Sequence, residues 1–170
     1  MRAVFFDRDG TLMEDAHYCA DPALVRVFPG VPEALRRLKS AGFGIFLITN
    51  QSGIGRGLLT EHEYRGVHRE FLRQAGKSSI DGAYHCPDAP DVDSRCRKPE
   101  PGMVLQAAAE HAIDLSVSYF VGDKEADIEC GRRAGTRTIL VLTGYGAEQK
   151  CNPDFTCADA PAAVDLILAG

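Results

Sequence analysis

Two aspartates stand one residue apart where an apolar run ends: Ala3-Val4-Phe5-Phe6 leads into Asp7-Arg8-Asp9-Gly10-Thr11. Carboxylates at this spacing suit phosphoryl transfer. One attacks phosphorus and becomes an aspartyl-phosphate, while the other serves as acid and then as base. Asp7, at the strand end, is the expected nucleophile, and Asp9 is the expected acid/base. Gly122-Asp123 closes a separate apolar run, and Asp123 is placed to complete a hard oxygen site for Mg²⁺. Such an ion would offset the repulsion between Asp7 and an incoming phosphate. Thr49 and Asn50 follow a third apolar run and can donate hydrogen bonds to phosphoryl oxygens. Lys98, in Arg97-Lys98-Pro99, can supply a point charge to the same group. Singly, each piece is ordinary: Asp-x-Asp is common on surfaces, Thr-Asn is often a turn, and a lysine is usually solvated. Their order along the chain, with all but Lys98 at strand ends, is what points to a site.

The elements that must position these residues alternate. Ala3–Phe6, Gly44–Ile48, Ser118–Val121 and Thr138–Leu142 read as buried strands, and Gly82–His85 as a shorter one. Val31, Ala34, Leu35, Leu38 and Ala41 recur at helical spacing, and Gly42 closes that helix. Thr60 with Glu63 forms a capping box, and its helix runs to about Gln74. Pro101 opens a helix carried by Val104, Leu105, Ala108 and Ala112; Ala126 to Ala134 and Ala160 to Leu168 supply two more. Strand–helix alternation predicts an α/β, doubly wound, mostly parallel sheet of the Rossmann-like kind, as a single domain over residues 1–170. In such sheets ligands bind beyond the carboxyl ends of the strands, so the loops carrying Asp7, Thr49 and Asp123 should meet at one edge.

Composition narrows the partners. The chain has 170 residues, is 45% hydrophobic and carries a formal net charge of -5. That charge argues against nucleic-acid binding, which normally uses a basic face. Met1–Phe6 is too short for an apolar leader, and no apolar run reaches the ~18 residues of a membrane span. The cysteines, Cys19, Cys86, Cys96, Cys130, Cys151 and Cys157, form no dense framework, so a reducing cytoplasm is expected. The expected protein is a cytoplasmic monomer that engages neither membrane nor nucleic acid.

Taken together, Asp7-Arg8-Asp9-Gly10-Thr11, Ile48-Thr49-Asn50, Lys98-Pro99 and Gly122-Asp123 resemble the four motifs of the haloacid dehalogenase superfamily. The resemblance covers nearly the whole chain. It implies the haloacid dehalogenase-like fold and an aspartyl-phosphate mechanism, with Asp7 as nucleophile and Asp9 as general acid/base. It further implies Mg²⁺ held by Asp7, the Asp9 backbone carbonyl and Asp123, with Thr49 and Lys98 steadying the phosphoryl group. No insertion is long enough for a separate cap domain, so substrate choice should rest on residues 15–20, 51–58 and 86–97.

A narrower resemblance is carried by Thr49-Asn50-Gln51-Ser52-Gly53-Ile54-Gly55-Arg56-Gly57, Cys96-Arg97-Lys98-Pro99-Glu100-Pro101-Gly102-Met103 and Val121-Gly122-Asp123-Lys124. These are similar to the D-glycero-D-manno-heptose-1,7-bisphosphate 7-phosphatase branch, which lies close to the histidinol-phosphatases. By that resemblance the substrate is a small phosphorylated sugar. Its contacts are Asp15, Ala16, His17, Tyr18, Thr49, Asn50, Gln51, Ser52, Arg97, Lys98 and Lys124. Arg97 suits a planar charged contact to a second phosphate; its plainer reading is a surface pair with Glu100. The branch commonly carries a zinc loop, Cys-x-His and then Cys-x-Cys. Here the matching positions read Cys86-Pro87-Asp88 and Ser94-Arg95-Cys96. Zinc is therefore expected to be absent, and the loop to be held by proline stiffness and local hydrogen bonds. Histidinol-phosphate phosphatase is the alternative enzyme. A phosphate-binding regulator without turnover is the alternative of another class, disfavoured by the intact carboxylates.

Overall fold

Alternation within the first strand decides the layering. The computed structural model describes residues 1–170. In β1 (Ala3–Phe6) all four side chains are fully buried. Val4 and Phe6 point into a larger core, while Ala3 and Phe5 point into a smaller one on the opposite face. A strand buried on both faces must lie inside a parallel sheet covered by helices on both sides.

The sheet has six strands in the order β3-β2-β1-β4-β5-β6, and every neighbouring pair is parallel. The others are β2 (Gly44–Asn50), β3 (Gly82–Cys86), β4 (Tyr119–Gly122), β5 (Arg137–Val141) and β6 (Phe155–Cys157). The larger core packs α1 (Val31–Ser40), α3 (Glu61–Ala75) and α6 (Ala160–Ala169) onto one face. The smaller core packs α4 (Gly102–His111) and α5 (Glu125–Ala134) onto the other. The short α2 (Ser52–Gly55) follows β2 directly. No helix is long and apolar enough to cross a membrane.

The chain runs outward from β1 through β2 to β3, then returns to the other side of β1 as β4. The switch in strand order thus falls between β1 and β4, the position where doubly wound sheets open a crevice at their carboxyl edge. Asp7 follows β1 and Asp123 follows β4, so both flank that crevice.

The helix ends behave as their residue types dictate. Thr60 Oγ1 accepts the Glu63 N–H at 3.2 Å, and Glu63 Oε2 accepts the Thr60 N–H at 2.7 Å, completing the capping box that starts α3.

The structure departs from the sequence expectations at several points. β2 extends to Asn50, because Thr49 and Asn50 still pair with His85 and Cys86 of β3. These two residues are therefore fixed by the ladder rather than held in a loop. Ser118 lies just outside β4; its hydroxyl accepts the Ala3 N–H at 2.9 Å and donates to the Asp114 carbonyl at 2.6 Å. In α4 the buried residues are Met103, Val104 and Ala107, whereas Leu105 faces solvent. The edge strand β6 is only three residues long and largely exposed, too short for its pattern to mark it.

Candidate active site

Lys98 is the centre of the site. It is 4% exposed, and its Nζ reaches three oxygens at 2.7 Å: Asp7 Oδ1, Ile48 O and Asp127 Oδ1. An ammonium this deeply buried is stable only among such partners. The Asn50 carboxamide fixes the lysine's backbone in both directions, accepting the Lys98 N–H at 3.0 Å and donating to the Lys98 carbonyl at 3.1 Å. The Asn50 amide thus holds the lysine loop in place.

Asp7, Asp123 and Asp127 are all buried, and one carboxylate oxygen from each lies within 4.8 Å of the others. Burial pushes the Asp7 carboxyl up, to about 8, against the pull of Lys98; Asp127, Asp123 and Asp9 push the same way as burial. Burial, with Asp127, likewise pushes Asp123 up to about 6. When ionised, the three carboxylates carry more charge than the one ammonium in contact with them offsets, a deficit that suits a divalent cation. The oxygens are also sorted. Both Asp127 oxygens are engaged, one by Lys98 Nζ and the other by the Lys124 N–H at 3.0 Å. Asp123 Oδ2 accepts the Tyr145 N–H at 2.9 Å, and Oδ1 lies 3.3 Å from Thr11 Oγ1.

The backbone around Asp123 leaves no room for extra atoms. Gly10 has φ 88°, and a Cβ there would meet Asp123 Oδ2 at 2.3 Å. Gly144 has φ 55°, and a Cβ there would meet the same oxygen at 2.2 Å. Both turns therefore require glycine, for backbone angle and for space. The donor set is all oxygen and crowded by carboxylates, so it fits Mg²⁺.

Asp9 is turned to one wall of the cleft. Arg8 Nη2 lies 3.1 Å from Asp9 Oδ1 and 3.0 Å from Oδ2, and Gln51 Nε2 donates to Oδ2 at 2.8 Å. Gln51 Nε2 also donates to Thr49 Oγ1 at 2.9 Å. Thr49 and Gln51 are buried, so these groups form one connected polar wall.

Above this floor opens a cleft of about 510 Å³. Asp7, Asp9, Asp15, His17, Tyr18, Thr49, Asn50, Gln51, Ser52, Arg97, Lys98 and Lys124 all line it. Ala16 does not line it, and Asp123 lies beneath it, fully buried. His17 and Tyr18 both adopt left-handed backbone angles, φ 46° and 48°, with the His17 N–H bonded to Asp15 Oδ1 at 2.9 Å. That turn brings His17 Nε2 to 3.3 Å from Tyr145 Oη. Lys124 Nζ stands 3.6 Å from Asp15 Oδ2 and 5.0 Å from the centre of the Tyr145 ring.

Sequence reasoning missed Asp127, Tyr145, Glu125, Ala126 and Gln149, all of which line the cleft; Cys19 and Gly53 line it too, within the 15–20 and 51–58 segments. Asp127 carried a signal, an acidic residue in the first turn of the helix that follows Gly122-Asp123. Tyr145 and Gln149 come from the irregular segment after β5 and carried none.

The 86–97 segment differs from expectation. Cys86 and Cys96 are joined by a disulfide, with Cα atoms 5.6 Å apart. The loop is therefore closed covalently, not by proline stiffness alone. Local hydrogen bonds contribute as expected: Ser94 Oγ accepts the Arg97 N–H at 3.1 Å. Asp88 Oδ2 lies 3.5 Å from Cys96 Sγ, and Cys86, Asp88 and Cys96 group their ligand atoms within 4.8 Å. Arg97 does not pair with Glu100, which binds Arg133 at 2.5 Å. Its Nη1 donates to the Asp88 carbonyl at 3.2 Å, and no carboxylate offsets its charge by direct contact. Burial and the neighbouring Arg56 hold Arg97 below the ordinary arginine value. An under-compensated guanidinium at a cleft mouth is suited to an anion.

Residues 95–164 match the HAD-hydrolase-like family model. The chain is 37% identical to the D-glycero-D-manno-heptose-1,7-bisphosphate 7-phosphatase of Chlorobaculum tepidum, in an alignment covering 99% of this chain and 95% of that one. It is 38% identical to the D-glycero-beta-D-manno-heptose-1,7-bisphosphate 7-phosphatase of Helicobacter pylori, covering 98% and 97% of the two chains. The crystal structure of D,D-heptose 1,7-bisphosphate phosphatase from B. bronchiseptica, complexed with magnesium and phosphate, superposes with a TM-score of 0.91. It is 31% identical, over 99% of each chain.

Proposed function

This chain belongs to the haloacid dehalogenase-like phosphatases, in the family of D-glycero-D-manno-heptose-1,7-bisphosphate 7-phosphatases, and from that footing we propose how its site works. It is a magnesium-dependent phosphomonoester hydrolase that removes the 7-phosphate of D-glycero-D-manno-heptose 1,7-bisphosphate. The observation that carries this reading is the buried constellation of Asp7, Lys98, Asp123 and Asp127 at the switch point of the sheet.

In the first step an Asp7 carboxylate oxygen attacks phosphorus, and the bond from phosphorus to the C7 oxygen breaks. Asp9 gives a proton to that leaving oxygen, and the sugar departs as an alcohol. In the second step Asp9 takes a proton from water, the water oxygen attacks the aspartyl-phosphate, and inorganic phosphate leaves with Asp7 restored. Lys98 and Thr49 hold the transferring group in line. Asp7, Asp123 and the Asp9 carbonyl would hold Mg²⁺, which when bound neutralises charge on the phosphoryl oxygens. Asp127, with both oxygens engaged, fixes Lys98 instead. Residues 1–170 act as one catalytic unit, since every group named comes from this chain.

The direct test is turnover with and without Mg²⁺ on the heptose bisphosphate, histidinol phosphate and para-nitrophenyl phosphate. The bisphosphate should give the highest kcat/KM, and a chelator should abolish it. A preference for histidinol phosphate would reassign the substrate. Failure to turn over any of them would leave a phosphate-binding role.

Substrate choice follows from the cation at the cleft mouth. With the 7-phosphate over Asp7, the far end of the sugar reaches Arg97, with Lys124 and the Asp15–Tyr18 turn holding the ring. Arg97→Ala should lower kcat/KM for the bisphosphate roughly 10- to 100-fold, the worth of a charged hydrogen bond. The aryl phosphate, which lacks the remote group, should change by less than about threefold. Equal losses on both would assign Arg97 to the fold or to the transferring phosphoryl group.

The 86–96 loop functions without zinc. Joined in a disulfide, Cys86 and Cys96 offer zinc no thiolate; reduced, they would supply two, and neutral Ser94 is a poor ligand. Elemental analysis of protein purified without chelator should find only a small fraction of one zinc equivalent, and Mg²⁺ alone should restore activity after chelation. Near-stoichiometric zinc, lost together with activity, would overturn this reading.

A further inference from the structure

Arg8 lies between Asp7 and Asp9, and the mechanism above makes no use of it. Its side chain is 1% exposed and heads the fully buried side chains of the protein by size. It points beneath the cleft wall, its guanidinium carbon 5.4 Å from the centre of the Tyr64 ring. Its one ion-pair partner is Asp9. Nε lies 3.3 Å from Asp9 Oδ1, while Nη2 lies 3.1 Å from Oδ1 and 3.0 Å from Oδ2. Nη1 has no partner, and with His68 Nδ1 it is one of two buried side-chain polar atoms left so.

A buried guanidinium with an unpaired nitrogen is costly, and an apolar side chain would fill the same space at less cost. Packing does not account for it. What the cation does make is a two-nitrogen grip on one carboxylate, closed from the cleft side by Gln51 Nε2 at 2.8 Å. A planar fork on a carboxylate fixes its orientation as well as its place.

We infer that Arg8 is a positioning residue: with Gln51 it clamps the Asp9 carboxylate in one orientation at the cleft wall, from which Asp9 serves the leaving oxygen and then the attacking water. The clamp matters because Asp9 shares the cleft with Asp7 and Asp127, two of the three clustered carboxylates. Held off that cluster, its carboxylate keeps one place and one orientation. This rests on Asp9 being the acid/base.

The test compares leaving groups, using kcat/KM of the whole protein with Mg²⁺. Arg8→Met should lower kcat/KM for the heptose bisphosphate by about 100-fold or more, because its alkoxide needs a proton. It should lower that for 2,4-dinitrophenyl phosphate by less than about fivefold, because that phenolate leaves unaided. In an Asp9→Asn background the same change should cost less than about twofold more on the bisphosphate, since the group being positioned is already gone. Arg8→Lys keeps the charge but not the fork, and should show the same split at smaller size. If Arg8→Met has no cooperative melt, Arg8→Lys is read in its place with the same split required. Equal losses on both substrates, or losses that multiply with Asp9→Asn, would overturn the inference. If Asp9→Asn itself showed no leaving-group dependence, the acid/base assignment would fail, and this inference with it.

Discussion

Asp7→Asn will lower turnover of the heptose bisphosphate by about 10⁴-fold or more and leave the fold intact. The amide keeps the volume of the carboxylate but lacks its charge and its nucleophilic oxygen. The stability of the variant carries an equally sharp expectation. Asp7 is buried among Asp9, Asp123 and Asp127, and burial with those neighbours pushes its carboxyl up to about 8. Removing its charge relieves that repulsion, while Lys98 keeps Asp127 at 2.7 Å and the Ile48 carbonyl at 2.7 Å. Without Mg²⁺ the melting temperature should therefore equal or exceed that of the wild type. With saturating Mg²⁺ the variant should gain less than the wild type does, because one ligand charge is missing. Beryllium fluoride should form a stable adduct with the wild type and none with the variant. Residual activity above about 1%, measured in single turnover, would remove Asp7 from the role of nucleophile.

The residues that were legible in the sequence share one property: they end apolar runs. Asp7, Thr49 and Asp123 each follow an unbroken apolar run that is buried on both faces, and the end of the run marks them. Once strand order was inferred, their convergence followed from topology alone. Lys98 had no strand to mark it, and its reading depended on motif order. Asp127 was missed because an acidic residue in a first helical turn is ordinarily a capping feature, and here it is that as well: its Oδ2 accepts the Lys124 N–H. Its other oxygen binds Lys98, and only the packing of α5 against the loop before α4 reveals that pairing. Arg8 was hidden for a different reason. A charged residue after a strand reads as solvated, and nothing local indicates that it is buried against Tyr64 of α3. The Cys86–Cys96 link depends on Cα separation, which spacing in sequence does not determine.

Lys98→Met is the other change with a large expected effect, and it separates charge balance from chemistry. Methionine matches much of the lysine stem but offers no charge and no donor. Asp7 and Asp127 would then face each other buried, with no cation between them, and the Ile48 carbonyl would lose its bond. Stranding buried carboxylates costs roughly 3–5 kcal/mol. For a chain of this size that is a fall in Tm of about 10 °C. Mg²⁺ should return more stability to the variant than it adds to the wild type, because it finds a larger uncompensated charge. Activity should not follow. The ammonium that steadies the transferring phosphoryl group is absent, and kcat should stay down by about 10³-fold at saturating Mg²⁺. Asp127→Asn in the same chain should recover part of the lost stability, since one of the two stranded charges is removed, and should recover no activity. Thermal melts of both variants, in chelator and in Mg²⁺, decide the matter. A Lys98→Met protein as stable as the wild type in chelator would mean that the ammonium does not balance these carboxylates.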